Sequence, residues 1–208
     1  MRDTHFVKTI NLEIYNFVAF VFMFLITILM KNVIYSDLKS LTFLGTNNII
    51  LEAIGRIIFY LELITLILFL LNCIWAVIEL IDRYKHDKVK DLFESIWQTF
   101  KIRRFLIQKP QFDLNVNKDK SGLWNSPSVI SLFNKSARKA VLDIRKDKVL
   151  LIIPDFHSVQ AQNLFNFIKA EVKNEVGIYN PEVFFSDFTK DPKNNSNILE
   201  GNRLLKDK

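Results

Sequence analysis

One short cluster in the chain combines residue types that catalyse hydrolysis. Asp155, His157 and Ser158 supply an acid, a base and a nucleophile within four residues, where a strand is predicted to meet a helix. Side chains of adjacent residues diverge, so the three cannot act as a triad, and a turn with a helix cap is the favoured explanation. The helix start there could bind an anion, but so could most helix starts.

Other signatures of catalysis or metal binding are missing from the sequence. It contains no phosphate-binding loop, dinucleotide-binding glycine motif, zinc-protease motif or nucleophile elbow. Cys73 is the one cysteine, so neither an intramolecular disulfide nor a cysteine-based zinc site can form, which fits a reducing compartment. We therefore expect a protein that is not an enzyme and that uses no cofactor and no metal.

Two long apolar segments dominate the first 81 residues. The first is predicted over residues 12–35 and the second over residues 57–81. Each has about 20 or more mainly apolar residues, which is long enough to cross a hydrocarbon core of roughly 30 Å. One alternative is a pair of buried helices in a soluble protein, but the rest of the chain could not cover them. The other is a signal peptide, but the first segment is too long for one and lacks a cleavage site.

Polar residues recur at spacings of three and four along one face of each segment. The two stripes are Glu62, Thr65, Phe69, Asn72, Ala76 and Glu79, and Glu13, Asn16, Phe20, Met23, Thr27 and Met30. Polar groups are costly in lipid, so we expect the stripes to face each other or other subunits. An antiparallel pair predicts an ion pair between Lys31 and Glu62. The predicted packing face is Glu62, Thr65, Asn72, Glu79, Asn16, Thr27 and Lys31; an ion path lined by Glu62 and Asn72 is the alternative.

Basic residues are concentrated directly after the second segment. Residues 82–109 carry 8 Lys/Arg against 4 Asp/Glu, in a chain of net charge +6. This excess predicts that the C-terminal part lies in the cytoplasm, and a hairpin then places the N-terminus there as well. The residues predicted to lie at the membrane surface are Arg83, Lys85, Lys88, Lys90, Lys101, Arg103 and Arg104.

The same stretch, residues 82–109, is predicted to form an amphipathic helix. Its apolar positions recur at i, i+3, i+4 and i+7: Val89, Leu92, Phe93, Ile96, Trp97, Phe100 and Phe105. Basic residues beside anionic lipid gain about 1 kcal/mol each, and a tryptophan suits the interface. The helix therefore either lies on an anionic inner leaflet or packs on the soluble domain or a second copy.

Residues 110–208 predict a small cytoplasmic α+β domain. Strands are predicted over residues 112–116, 140–145, 149–153, 183–188 and 197–205, with a polar link over 117–122 and a hairpin turn over 146–148. Helices are predicted over 127–139 and over 158–176, where Ser158 is the cap and Gly177 the stop signal. Their predicted apolar stripes are Val129, Ile130, Phe133 and Ala137 in the first helix and Ala161, Leu164, Phe165, Ile168 and Val172 in the second. Basic residues here favour a solvated face near acidic lipid over a nucleic-acid contact; they are Lys135, Arg138, Lys139, Arg145, Lys146 and Lys148.

The sequence thus predicts a membrane protein with a two-helix transmembrane hairpin, a juxtamembrane amphipathic helix and a small cytoplasmic α+β domain. A tail over residues 1–11 and a loop over residues 36–56 complete it. Expected partners are a bilayer with an anionic inner leaflet, further copies of the chain and another protein.

The order of these elements, with the segments SPSVISLFNKSARKAVLDIRKDKVLLIIPDFHSVQAQNLFNFIKAEV, FFSDFTKD and ILEGNRLL, resembles a known family over about residues 10–205. It is similar to the membrane-anchored N-terminal region of FtsK-like coupling proteins of Gram-positive plasmids and conjugative elements. The family's ATPase module has no counterpart in these 208 residues. The resemblance implies a non-enzymatic anchor or assembly module beside a DNA-transfer or translocation machine and carries over no catalytic residue.

The amino-acid composition gives a hint of the origin of the chain, and the sequence as a whole leaves an alternative function open. The chain is rich in Lys, Asn, Ile and Phe and poor in Ala and Gly, as AT-rich coding sequences often are, which is typical of a low-GC bacterium or a mobile element. The alternative function is an oligomeric membrane effector or channel that is gated by a cytoplasmic ligand.

Overall fold

The computed structural model describes residues 5–37, 48–109 and 126–203. The chain divides into two units, one of residues 8–81 and one of residues 1–7 and 82–208. The strand predicted over residues 112–116, the link over 117–122 and the end of the last predicted strand lie outside the described residues.

Two long helices make up the first unit. Helix α1 (His5–Leu29) continues through a π-helical segment (Met30–Tyr35), and helix α2 spans Asn48–His86. Apolar residues dominate both, mainly Phe and Ile in α1 and Ile and Leu in α2, and neither contains proline. Both are long and apolar enough to cross a membrane by length and composition. They extend beyond the predicted segments, since part of the predicted tail and of the predicted loop is already helical.

The second unit is a small α+β fold, as predicted. Its elements are the last turn of α2, α3 (Val89–Leu106), α4 (Pro127–Ala137), β1 (Val141–Ile144), β2 (Lys148–Ile153), α5 (Val159–Tyr179), β3 (Val183–Phe185), β4 (Thr189–Lys190) and β5 (Asn197–Arg203). The five strands form one antiparallel sheet in the order β1-β2-β5-β3, in which β4 also pairs with β5.

The first two strands form the predicted hairpin. Val141 pairs with Ile152 and Ile144 pairs with Val149, so the turn falls at Lys146 and Asp147. Because β1 has a strand partner on one side only, the peptide groups of its other edge need hydrogen-bond partners from outside the sheet.

The core of this unit lies between one face of the sheet and helices α3, α4 and α5. The apolar stripes predicted for the last two helices are buried there, with Val129 and Phe133 on α4 and Phe165 on α5. The Phe133 ring stacks on Phe156 at 4.9 Å, and Phe156 lies 5.3 Å from Phe165. Each side chain buried in this way contributes about 1.5–3 kcal/mol, so this aromatic row is a principal source of the unit's stability.

Two predicted helix boundaries are wrong. Residues 82–109 do not form one helix, because α2 runs to His86 and α3 begins at Val89, after Lys88 in an extended conformation. Gly177 does not stop α5, which continues to Tyr179 and ends at Asn180. The glycine is tolerated inside the last turns because helix propensity is only a weak preference that packing overrides.

Candidate functional site

The predicted polar stripes of α1 and α2 face each other. Three pairs connect the helices: Lys31 Nζ lies 2.8 Å from Glu62 Oε1, Thr27 Oγ1 lies 3.3 Å from Thr65 Oγ1, and the rings of Phe20 and Phe69 are 5.7 Å apart. The pairs succeed one another along both helices in antiparallel register. The ion pair predicted from the sequence is therefore present, and its lysine lies in the π-helical segment.

The other members of the stripe are engaged in different ways. Asn72 Nδ2 donates to the carbonyl of Leu68 at 2.8 Å, and Glu79 is buried. Glu13 Oε1 and Asn16 Nδ2 are buried atoms that have no hydrogen-bond partner among the described residues. Because Glu62 is paired with Lys31 and Asn72 with its own helix, the geometry favours packing over an ion path.

Helix α3 covers the open edge of β1 with side-chain hydroxyl groups. Thr99 Oγ1 accepts from Leu142 N at 3.0 Å and lies 3.1 Å from the Leu142 carbonyl, while Ser95 Oγ accepts from Ile144 N at 2.8 Å. One turn further on, Arg103 Nε donates to the carbonyl of Ala140 at 2.7 Å.

The spacing of side chains along the helix matches the spacing of peptide groups along the strand, which explains why one helix can form hydrogen bonds along a whole strand edge. Four helical residues advance about 6.0 Å, and two strand residues advance about 6.8 Å. A line of residues at i, i+4 and i+8 therefore meets every second residue of the strand, and it replaces the missing strand partner. We refer to Ser95, Thr99 and Arg103 with their partners as the edge ladder.

Arg83 is not a membrane-surface residue, contrary to the sequence prediction. Its side chain is fully buried and forms an ion pair with Asp143, which is also fully buried. Its Nη1 donates to the carbonyl of Ile144 at 2.5 Å, and its guanidinium lies 5.3 Å from the centroid of the Phe6 ring. The buried carboxylate accounts for the location, because an unpaired arginine would not be stable in this interior.

A second arginine extends this network. Arg145 donates through Nη1 to Asp82 at 3.0 Å and to Asp87 at 2.8 Å, and through Nε to Asp143 at 3.2 Å. Burial lowers the pKa of Arg145, but the charge of Asp143 and the hydrogen bonds outweigh burial, so the pKa is above its ordinary value. Arg145 therefore does not belong to the solvated basic face that the sequence predicted.

The other predicted surface residues fall into two groups. Lys85, Lys88, Lys90, Lys101 and Arg104 are exposed. Arg103 is half-buried, since it belongs to the edge ladder.

The buried face of α3 is not its apolar face. Of the apolar positions that the periodicity selected, Leu92 is buried, whereas Phe93, Trp97 and Phe100 are 67%, 64% and 50% exposed. The buried positions are instead mainly polar: Asp91, Leu92, Ser95, Gln98, Thr99, Ile102 and Leu106. Packing on the soluble domain, one of the two predicted alternatives, is therefore confirmed, but with the opposite face inward.

A buried amide pair connects α3 to the end of α5. Asn180 Nδ2 donates to Gln98 Oε1 at 2.8 Å, and the reverse contact measures 3.4 Å. Each amide thus satisfies the other away from water, which fixes the side of α3 that faces the domain.

The Asp155–Ser158 cluster has the geometry of a turn and cap. Ser158 Oγ lies 3.5 Å from Ala161 N as the cap of α5, and it donates to Gln160 at 2.9 Å. His157, with a φ of 51°, is exposed, and its Nδ1 lies 3.3 Å from Asp155 Oδ2. The serine is thus engaged with the helix start, and the ring nitrogen of His157 lies beside Asp155.

The comparisons with known proteins identify no relative. No family model, no curated protein and no solved structure matches the chain. Within the described residues, no group of three or more His, Cys, Asp or Glu side chains is placed to hold a metal ion. The features that distinguish the chain are therefore the polar helix pair, the edge ladder and the buried arginine network.

Proposed function

We propose that the chain is a non-enzymatic membrane anchor or assembly subunit. Its two long helices span a bilayer as a hairpin and hold the α+β unit at the cytoplasmic side, where it binds another protein or further copies of the chain. The observation that carries the proposal is the distribution of side chains in the hairpin, which is apolar outside and polar inside.

The outward surface of the helices has the character of a lipid-facing surface. In the most apolar 18-residue stretches of α1 and α2, only 6% and 11% of the residues are buried within the chain. Large side chains such as Phe17, Phe22 and Leu70 are exposed, whereas Thr27 and Thr65 are buried between the helices. A soluble protein hides such apolar surface, and a bilayer is the solvent that fits it.

The distribution of positive charge supports cytoplasmic termini. Removing the buried Arg83 from the count still leaves Lys85, Lys88, Lys90 and Lys101 exposed after the second apolar segment. Such an excess of basic residues within about 20 residues of a span favours the cytoplasmic side. Both ends of the hairpin are then cytoplasmic.

The chemistry of the hairpin supports a role in assembly. The Lys31–Glu62 pair and the threonine contact join the two helices, so their polar side chains are used for packing rather than for an ion path. The resemblance to the anchored region of FtsK-like coupling proteins makes a DNA-transfer or translocation ATPase, encoded by a bacterial mobile element, the partner that we propose first.

Cysteine labelling in spheroplasts tests the topology. In a Cys73→Ser background, Lys193→Cys reports on the α+β unit and Ile49→Cys on the other end of α2; both native side chains are exposed. A membrane-impermeant maleimide is expected to label Ile49→Cys in intact spheroplasts and Lys193→Cys only after lysis. Labelling of both in intact spheroplasts, or recovery of the chain in the soluble fraction, would contradict the proposal.

Co-purification tests the assembly role. The full chain, solubilised in mild detergent and isolated through an affinity tag, is expected to retain either a second tagged copy or an ATPase encoded beside it. A monodisperse single copy that binds no such ATPase would overturn this part of the proposal while leaving the anchor intact.

A further inference from the structure

The outward side of α3 carries a stripe of three aromatic rings. Phe93, Trp97 and Phe100 are spaced by four and three residues, so they lie along one line of the helix. They are 67%, 64% and 50% exposed. We call this stripe the aromatic face.

The edge ladder prevents the helix from burying these rings. Ser95 and Thr99 lie on the opposite side of α3 and are hydrogen-bonded to the backbone of β1. Rotating the helix to turn Trp97 inward would leave the peptide groups of an edge strand without partners, which is costly in a buried setting. The exposure of the aromatic face is therefore a consequence of the fold.

The charges around the aromatic face are mainly positive. Lys90, Lys101 and Arg104 are exposed on the same side of the helix, and half-buried Glu94 is the one acidic residue of α3 beside them. Lys101 Nζ lies 5.6 Å from the centroid of the Trp97 ring and 4.6 Å from that of Tyr179. Aromatic rings with flanking lysine and arginine are the composition of helices that lie in the headgroup region of anionic membranes.

The position of α3 in the chain favours lipid over a protein surface. Seven residues lie between Ile81, the end of the second apolar segment, and Val89, the first residue of α3. Such a connection reaches at most about 27 Å, so the helix stays within reach of the headgroups once α2 crosses the bilayer. A protein partner would not require this proximity.

We propose that the aromatic face of α3 is a lipid-binding surface that lies in the headgroup region of a bilayer containing anionic phospholipid. This inference rests on the proposed membrane anchor and adds to it the side of the α+β unit that faces the membrane. In this arrangement the polar side of α3 packs on the sheet, and its aromatic side contacts the lipid.

Tryptophan fluorescence of the full chain in nanodiscs tests the inference. The chain has three tryptophans, and the variant Trp75→Phe/Trp124→Phe leaves Trp97 alone. Discs of phosphatidylcholine and phosphatidylglycerol are made with acyl chains brominated near the headgroup. We expect bromine to quench Trp97 by about twofold or more, as for an interfacial tryptophan.

Two further single-tryptophan variants serve as matched controls. Trp97→Phe/Trp124→Phe leaves Trp75, which reports on the apolar segment itself. Phe167→Trp in a background with all three native tryptophans changed to Phe reports on the exposed side of α5. We expect Trp75 to be quenched and the reporter at position 167 to remain bright.

The possible outcomes separate this inference from the proposed function. Quenching of Trp97 and Trp75, but not of position 167, supports the lipid-binding surface. Quenching of Trp75 alone overturns the lipid-binding surface and keeps the anchor; if Trp97 is then also shielded from acrylamide, the aromatic face is covered by protein. Bright fluorescence from both Trp75 and Trp97 would overturn the anchor and the inference together.

Charge variants test the requirement for anionic lipid. Changing Lys90, Lys101 and Arg104 to Gln is expected to reduce the quenching of Trp97 on anionic discs to the level seen on pure phosphatidylcholine. The control changes the exposed Lys135, Lys190 and Lys193 to Gln, which removes the same charge elsewhere. Equal loss of quenching in both variants would contradict a specific role for α3.

Discussion

Arg83 and Asp143 are sixty residues apart in sequence and form an ion pair in which both side chains are fully buried. The arginine lies in the last turn of α2, and the carboxylate belongs to β1, between the edge-ladder residues Leu142 and Ile144. The pair therefore joins the end of the second long helix to the edge of the sheet.

Breaking this pair is expected to destabilise the α+β unit strongly. Arg83→Met removes an ion-pair partner of the buried Asp143 carboxylate, and Asp143→Leu removes an ion-pair partner of the buried Arg83 guanidinium. Removing one member of a buried pair costs about 3–5 kcal/mol. Thermal unfolding of the full chain in nanodiscs should show a lower midpoint for either variant.

The double variant is the informative control. Arg83→Met/Asp143→Leu removes both charges, so it should be more stable than the worse of the single variants, because apolar replacement of a buried pair is often nearly neutral. Additive losses in the double variant would show that the two side chains act independently.

The edge ladder predicts that the hydroxyl groups of α3 protect the neighbouring amides of β1 from hydrogen exchange. Thr99→Val keeps the shape of the side chain but removes the partner of Leu142 N, and an unsatisfied buried donor costs about 1–3 kcal/mol. Hydrogen exchange at the Leu142 amide should accelerate more than at amides between β2 and β5. Thr99→Ser retains the hydroxyl and should exchange nearly as slowly as the original chain; equal acceleration in both would disprove the ladder.

The ion pair between Lys31 and Glu62 predicts coupling across the helix hairpin. In a double-mutant cycle of Lys31→Ala and Glu62→Ala, each change should lower the thermal midpoint, and the second should have little effect once the first is made. Exposed pairs contribute up to about 1 kcal/mol, which sets the expected scale. The swap Lys31→Glu/Glu62→Lys should restore most of the loss; strict additivity of the two alanine changes would refute the pairing.

The periodic features of this chain could be predicted because each follows from one repeat. The 3.6-residue repeat selected Val129 and Phe133 on α4 and Phe165 on α5, and it aligned Lys31 with Glu62 across an antiparallel pair. The hairpin of β1 and β2 followed from two apolar runs around a short polar turn.

The orientation of α3 could not be predicted in this way. Choosing the apolar face as the buried one assumes an apolar neighbour, but the edge of β1 presents peptide groups that need donors and acceptors. Ser95 and Thr99, four residues apart on one line, were the available signal. The location of Arg83 was wrongly predicted for a related reason, since counting basic residues beside an apolar segment cannot reveal a carboxylate sixty positions later.

Tyr179 predicts a change of stability at alkaline pH. Its pKa is raised above the ordinary value of 10.0, first by the hydrogen bond that its hydroxyl donates to Glu175, then by burial and by the charge of Glu175. The neutral phenol is favoured in the folded state, so its stabilising contribution is complete below about pH 10 and is lost as the pH rises through the folded-state pKa.

The change Tyr179→Phe isolates this contribution. The thermal midpoint of the variant should lie below that of the original chain up to about pH 10 and approach it at higher pH. The control Tyr84→Phe removes a phenol that is 84% exposed and should leave the profile unchanged. A constant difference between Tyr179→Phe and the original chain at all pH values would count against the hydrogen bond.

Gly201 and Gly177 predict opposite effects of the same substitution. Gly201 lies in β5 opposite Phe185, and a Cβ added there would overlap the Val183 methyl group and lie 2.6 Å from Phe185 Cδ1. Overpacking of this kind costs about 1–3 kcal/mol, so Gly201→Ala should lower the free energy of unfolding. At Gly177, inside α5, an added Cβ would meet no atom of the described residues within 4 Å apart from the backbone of its own helix.

Gly177→Ala should therefore stabilise the chain by about 0.5–1 kcal/mol, because alanine restricts the unfolded chain and favours the helix. Both variants are compared by thermal unfolding in nanodiscs. Phe185→Leu combined with Gly201→Ala should recover part of the loss, since the shorter side chain makes room at β3. If Gly201→Ala proved as stable as the original chain, the close packing of β3 on β5 would be wrong; if Gly177→Ala were destabilising, α5 would end before this residue, as the sequence alone had indicated.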